Sequence, residues 1–437
     1  MVAIAAFMAR ATPLRDAAVA VLVLLPLGFY FALVRPLVFP YGLYILLMPF
    51  DEFLAVSHTG TITKMLGGIA CAALLFYCLR TRRVAPSTPA LRVLLLLLAW
   101  TVISVLWSVA PEVTWQWIPT YLGLALLYLA LSLTPITLNQ FKFILWAIVV
   151  AFLASAIVGV VLFRTHTPAA PLLHPEDARV VLSLGNLTID PNEYADALIF
   201  PFAIASMLAL GSRYLSLKLL GFAAASVMVA AVLVSASREA VIGLGLVAVY
   251  YLWRSRYRVQ VFALLLLTGI AAGPFSGTLL ARLQHAAATG GAGRTSIWAV
   301  GETAIKHYGL FGSGMGTFPI VYDQFYLSIP QIHSFGWNAP PHNVLLQFFV
   351  ELGIIGLALY LWFIVANFTM LRTITRNHPL YDYRLIVEGG LIAVCATSLF
   401  IGSFNEKWVW LVFATAAQLV FLASTYRRAN QIPTAPA

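Results

Sequence analysis

A chain of 437 residues would ordinarily fill two or three soluble domains, but hydrophobic residues make up 61% of this one and charged residues only 10%, with mean hydropathy +0.91. Soluble domains carry roughly 45–50% apolar and about 25% charged residues, so a water-soluble globule, a coiled coil, a disordered chain and a nucleic-acid-binding domain are all excluded. The apolar runs are continuous rather than alternating, which excludes an outer-membrane barrel as well. An all-α polytopic membrane protein remains. About twelve transmembrane helices of ~21 residues would use ~250 residues.

In chain order, Arg10 and Arg15 precede an apolar run at 17–33, read as a retained first span because no persuasive cleavage site follows. The stretch 36–57 ends in Asp51 and Glu52. Further spans are predicted near 61–79, 91–109, 116–133, 143–163, 192–211, 214–234, 239–253, 259–275, 343–370, 385–403 and 407–425. Arg80, Arg82, Arg83 and Arg92 share one loop. Lys142, Arg213, Lys218, Arg254, Arg256, Arg258, Arg372, Arg376, Arg384, Arg427 and Arg428 recur in every second loop or the tail. With Arg10 and Arg15 these are seventeen of the 26 basic residues, the distribution expected of a cytoplasmic face. Parity then allows residues 17–57 only an odd number of crossings; one crossing with a non-spanning apolar segment at 36–57 is the favoured reading, with both termini in the cytoplasm. Cys71, Cys78 and Cys395 all lie in apolar runs, without metal-ligand or disulfide spacing, and read as small core hydrophobes.

This organisation divides the chain into N-terminal transmembrane helices at 1–275, a loop at 276–342, and C-terminal helices with a cytoplasmic tail at 343–437. Two outer-face loops are long, 164–191 and 276–342. A long, partly structured loop in a compact protein is usually functional, so chemistry is sought in the second. Nine basic residues remain off the cytoplasmic face: Arg35, Lys64, Arg164, Arg179, Arg238, Arg282, Arg294, Lys306 and Lys407. They read either as a rim for phosphate-bearing lipid or as residues snorkelling to headgroups. Arg238, in Ser235-Ala-Ser237-Arg238-Glu239, occupies a short turn between two spans, flanked by two hydroxyls. It is a candidate anion ligand, with an Arg238–Glu239 pair as the bland alternative.

The long loop carries Gly290-Gly-Ala-Gly293-Arg294-Thr-Ser-Ile-Trp298, in which an arginine follows a flexible run and Trp298 is suited to interfacial anchoring or stacking on a sugar. Gly309-Leu-Phe-Gly312-Ser-Gly314-Met-Gly316-Thr-Phe318 lacks GK[ST] and reads as a tight turn rather than a nucleotide loop. Pro340-Pro341-His342-Asn343 opens the next span at His342 or Asn343. Asn343, Gln347 and Glu351, spaced i, i+4, i+8, share one helical face and descend about 12 Å. The positive end of the helix dipole favours a neutral His342, able to accept a proton. Asp190-Pro-Asn192-Glu193-Tyr-Ala-Asp196 opens another span, with Asp190 or Asn192 as its cap and a metal site as the minority reading.

Taken in order, Ser-x-Ser-Arg238, Arg294 with Trp298, the GxGxGxF turn, and His342-Asn343 followed by Leu346, Gln347, Glu351 and Gly353 resemble the O-antigen ligase and polymerase family. The motifs cover roughly residues 180–370. The resemblance implies an inner-membrane glycosyltransferase with a GT-C-like fold and an active site facing the periplasm. Its donor would be a glycan on undecaprenyl pyrophosphate, with no nucleotide sugar, cofactor or metal. Arg238 and Arg294 would hold the pyrophosphate and His342 would activate the acceptor hydroxyl, with Asn343, Gln347, Glu351 and Trp298 in support. Within the family the ligase is the favoured branch, moving the glycan to lipid A–core oligosaccharide. Polymerase and protein O-oligosaccharyltransferase are the neighbouring alternatives, and a polytopic transporter is the alternative of a different class.

Overall fold

The computed structural model describes residues 26–57, 60–165, 182–184, 187–277, 279–280, 284, 294–329 and 336–431. It is an all-α bundle. A short helix α1 (Tyr41–Leu47) runs into a 3-10 turn (Met48–Leu54) and a small hairpin, β1 (Ala55–Ser57) with β2 (Gly60–Thr61). Then follow α2 (Ile62–Thr81), α3 (Pro89–Ile103), α4 (Pro111–Leu133) and α5 (Leu138–Thr165). A second hairpin, β3 (Ser183–Leu184) with β4 (Leu187–Thr188), precedes α6 (Pro191–Ala197) and α7 (Ile199–Gly211). The chain continues through α8 (Leu215–Ser235), α9 (Arg238–Arg254), α10 (Arg258–Ala272), α11 (Arg294–Tyr308) and α12 (Phe318–Tyr326). It closes with α13 (Val344–Leu371), α14 (Tyr381–Thr397) and α15 (Lys407–Gln431).

Eight helical segments among the described residues are long and apolar enough to cross a membrane: α2, α3 with its 3-10 extension, α4, α5, α6 joined to α7, α8, α13 and α15. The protein is therefore a multi-pass membrane protein. Three other expected spans correspond to α9 and α14, 17 residues each, and to α10, 15 residues. Most of the first, 17–33, lies outside the described residues, as do Arg10 and Arg15. Residues 36–57 hold no span-length helix: the seven residues of α1 rise only about 10 Å before the chain turns. Leu79, Leu106, Trp253, Val259 and Phe262 stand exposed on the bundle, where lipid tails rather than water would meet them.

Two packings position the candidate site. Helix α9 lies along α14, and α13 lies along α3. The loop at 276–342 folds back as α11 and α12, whose Ile297, Val300, Phe318 and Tyr322 form a small core of their own against Val350 of α13. This loop is thus anchored to the helix that follows it.

Helix α13 is interrupted at Gly353, where φ is +67° and ψ −171°. A break within a span frees backbone groups that lipid cannot satisfy, and here the glycine-rich turn takes them up. Val350 O accepts from Ser313 N at 2.9 Å, Glu351 O from Gly314 N at 2.8 Å, and Ile354 N donates to Gly309 O at 2.8 Å. Trp100 Nε1 donates to Leu352 O at 2.8 Å. The approach is too close for side chains. A Cβ on Gly353 would lie 2.3 Å from Leu310 O, and one on Gly312, itself at φ +88°, 2.2 Å from Glu351 O. The GxGxGxF segment is a tight turn, built to fit this break.

Candidate active site

The first turns of α6, α9, α11 and α13 come together at one end of the bundle. Helix α9 starts after Ser237, whose Oγ accepts from Ala240 N at 3.4 Å as the N-cap. Ser235 Oγ donates to Val232 O at 2.7 Å. Both serines are fully buried, so the two hydroxyls expected to flank an anion are instead committed to the turn. Arg238 opens α9 half-buried, with no ion pair or hydrogen bond to its guanidinium among the described residues.

The neighbouring Glu239 does not pair with Arg238. Its Oε1 accepts from Arg294 Nη2 at 3.0 Å, with the two side chains 3% and 14% exposed. Arg294 is the first residue of α11, and the glycine run before it lies outside the described residues. An arginine distant in sequence is thereby tied to the residue that follows Arg238 in the chain. Among the described residues the other guanidinium nitrogens of Arg294 have no acceptor, leaving donors in the planar fork that suits phosphate oxygens.

His342 stands immediately before α13 in the left-handed region, φ +45°. Of the two residues expected to open the span, Asn343 is the N-cap, its Oδ1 accepting from Leu345 N at 2.9 Å and Leu346 N at 3.0 Å. His342 is therefore free of the capping role. Burial holds its imidazole below the ordinary histidine range, and the Arg294 guanidinium adds to this, while Asp190 and Glu239 oppose it. The result is a neutral ring beside a cation, and the charges that act on it identify its surroundings.

Asp190 caps α6, its Oδ1 accepting from Asn192 N at 2.7 Å and Glu193 N at 3.3 Å. Asp196, on the same helix, is fully buried, and neither carboxyl oxygen has a hydrogen-bond partner among the described residues. Its charge neighbours include Glu239 and Arg294. Sequence reading passed over Asp196 as a site residue and gave Glu239 only to Arg238. The available signal was a carboxylate within an otherwise apolar span, which is costly unless it faces the bundle interior.

The supporting residues divide. Glu351 is buried, Oε1 accepting from Phe318 N at 3.1 Å and Oε2 from Gln347 Nε2 at 3.3 Å. This i, i+4 pair clamps the glycine-rich turn onto α13, so its contribution here is to the architecture under His342. Trp298 is partly buried against the loop core, and its Nε1 has no hydrogen-bond partner among the described residues.

Residues 199–361 match the family model described as O-antigen ligase. The match agrees with the family that the motifs resemble, and it contains Arg238, Glu239, Arg294, His342, Gln347 and Glu351. No curated protein matches the chain.

Proposed function

We propose that the protein is an O-antigen ligase: a metal-independent, inverting glycosyltransferase of the inner membrane, GT-C-like, with its site facing the periplasm. It would move a glycan from undecaprenyl pyrophosphate to lipid A–core oligosaccharide. The observation that carries this reading is the convergence of Arg294, anchored by Glu239, with a neutral, non-capping His342 beside it. The family match and the membrane-spanning bundle support the same reading. The recurrence of seventeen basic residues in alternate loops of the sequence supports the periplasmic orientation.

Pyrophosphate is already a good leaving group, so the protein must hold its developing charge and orient the acceptor. Arg238 and Arg294 provide guanidinium donors to the pyrophosphate oxygens. His342 takes the acceptor hydroxyl's proton as that oxygen attacks the anomeric carbon from the face opposite the pyrophosphate. A new carbon–oxygen bond forms, the bond to the phosphate oxygen breaks, and undecaprenyl pyrophosphate leaves with both electrons of that bond. The anomeric configuration inverts, and the imidazolium releases its proton to the periplasm.

The test is deletion of the gene followed by gel analysis of lipopolysaccharide, with analysis of lipid-linked glycan. Loss of the whole O-antigen ladder, with long glycan accumulating on undecaprenyl pyrophosphate, is the expected result. A core bearing a single repeat unit would mean polymerase, and an unchanged ladder would overturn the reading.

A further inference from the structure

A second cluster of ionisable groups lies outside the O-antigen ligase match. The 3-10 turn after α1, the middle of α5, the start of α6 and the start of α15 enclose a cavity of about 80 Å³. That is room for several water-sized groups, hence for one polar edge of a larger molecule. Its lining includes Asp51, Glu52, Glu193, Glu406, Lys407 and Trp408.

The charges do not balance. Lys407 is committed to Asp51 by an ion pair, and its Nζ also donates to Thr63 Oγ1 at 2.6 Å and Thr61 Oγ1 at 3.4 Å. Glu52, Glu193 and Glu406 have no ion-pair partner among the described residues. Glu406 receives one hydrogen bond, from Asn405 Nδ2 at 3.0 Å. Burial is the main cause that pushes its carboxyl up to about 7; Lys407 opposes this, while Asp51, Glu52 and Asp190 reinforce it. Trp408 is 7% exposed, and its indole N–H has no acceptor among the described residues. A buried N–H left unpaired costs free energy, and a ligand oxygen in the cavity would satisfy it.

This lining suits a molecule that offers many donors, some acceptors and no negative charge. Phosphate is repelled by four carboxyl groups set against one ammonium, so the pyrophosphate belongs with Arg238 and Arg294 instead. Helix α6 joins the two places. Its Glu193 lines the cavity, its Asp196 neighbours Glu239 and Arg294, and its seven residues span about 10 Å.

We propose that this cavity is a sugar subsite, taking a neutral or amine-bearing sugar of the glycan substrates, with Glu193 and Glu406 accepting from its hydroxyl or ammonium groups and Trp408 donating to one of its oxygens. The identification of that sugar as part of a glycan substrate rests on the function proposed above; the chemistry of the cavity does not.

Binding is tested on the full-length protein in nanodiscs by saturation-transfer NMR titration with glucosamine, glucose and glucuronate. Glucosamine and glucose should bind, and glucuronate at least ~10-fold more weakly, since each charged hydrogen bond lost or opposed is worth about that factor. Glu193→Gln with Glu406→Gln should weaken glucosamine by ~10-fold, and Trp408→Phe should weaken both sugars by ~3–10-fold while keeping the ring. In a transfer assay the same variants should raise KM for a glycan substrate and leave kcat nearly unchanged.

Glucuronate binding as well as glucosamine, unchanged affinities in all variants, or displacement of the sugars by sodium or calcium through the same carboxylates would each overturn the subsite. Should the sugars bind in the expected order while no glycan is transferred, the subsite stands and the proposed ligase function falls. Transfer without that binding order leaves the function and removes the subsite.

Discussion

The two ends of α9 both hold an arginine–glutamate pair nearby, and the pairs are built differently. At the end carrying Arg254, Arg384 is saturated: Nε and Nη2 reach Glu388 Oε1 at 2.9 and 2.8 Å, and Nη1 donates to Ile374 O at 2.8 Å. Tyr250 donates to the other Glu388 oxygen, and Arg256 pairs with Asp382. At the end carrying Arg238, among the described residues, Arg294 has a single bond, to Glu239, Arg238 has no partner, and the buried Asp196 has both oxygens unpaired. Although Arg384 and Glu388 share α14, their bonds to Tyr250 and to Ile374 O tie that helix to α9 and to the turn after α13, so this end is a brace. At the other end donors are left for something else, which is how a substrate site differs from a brace.

The largest expected effect separates chemistry from architecture. His342→Ala and His342→Asn should each lower transfer by ~10²–10⁴, about 3–5 kcal/mol of barrier, with donor binding nearly intact in single-turnover and binding assays. Asn tolerates the left-handed backbone at this position, and the cap belongs to Asn343, so a folded but inactive Asn variant isolates the imidazole. An active Asn variant removes His342 from the mechanism.

Arg384→Met strikes the brace. It leaves Glu388 buried without its cation, an outcome worth about 3–5 kcal/mol of stability, so thermal stability should drop while activity per folded molecule holds. Arg294→Lys should do the reverse. The charge remains to pair with Glu239, but the fork is lost, and donor KM should rise by ~10–100-fold with little change in melting temperature. If both variants lose stability alike and neither changes KM, the two ends are equivalent and the contrast fails.

A smaller effect tests electrostatics at His342. Because burial and Arg294 lower its pKa, the ring stays neutral as pH falls through the ordinary histidine value of about 6.5, and the acid limb of kcat against pH should lie below it. Glu239 is one of the groups that raise this pKa, so Glu239→Gln should move the limb to still lower pH. A limb that does not move, measured at saturating donor, would separate Glu239 from His342.

Much of this was legible in sequence because membrane insertion acts on local composition. The spans from α2 to α5 and the segregated basic loops follow from apolar run length and charge alone. The glycine-rich turn could be read as a turn because three closely spaced glycines mark backbone that other residues resist. Its destination could not be read: the break at Gly353 and the Trp100 bond to Leu352 O join residues far apart in the chain.

By itself, the sequence determined the class of protein, the number of apolar runs and the residues with unusual chemistry, since each of these is a property of neighbouring residues. Tertiary structure alone decided which of those residues meet. Glu239 adjoins Arg238 in sequence yet pairs with Arg294, 55 positions away, because α11 folds back along α13 and brings its first turn to the start of α9. Asp196 became notable only once packing had buried it without a partner. Partnership among buried charges depends on how helices dock, and composition carries no record of that.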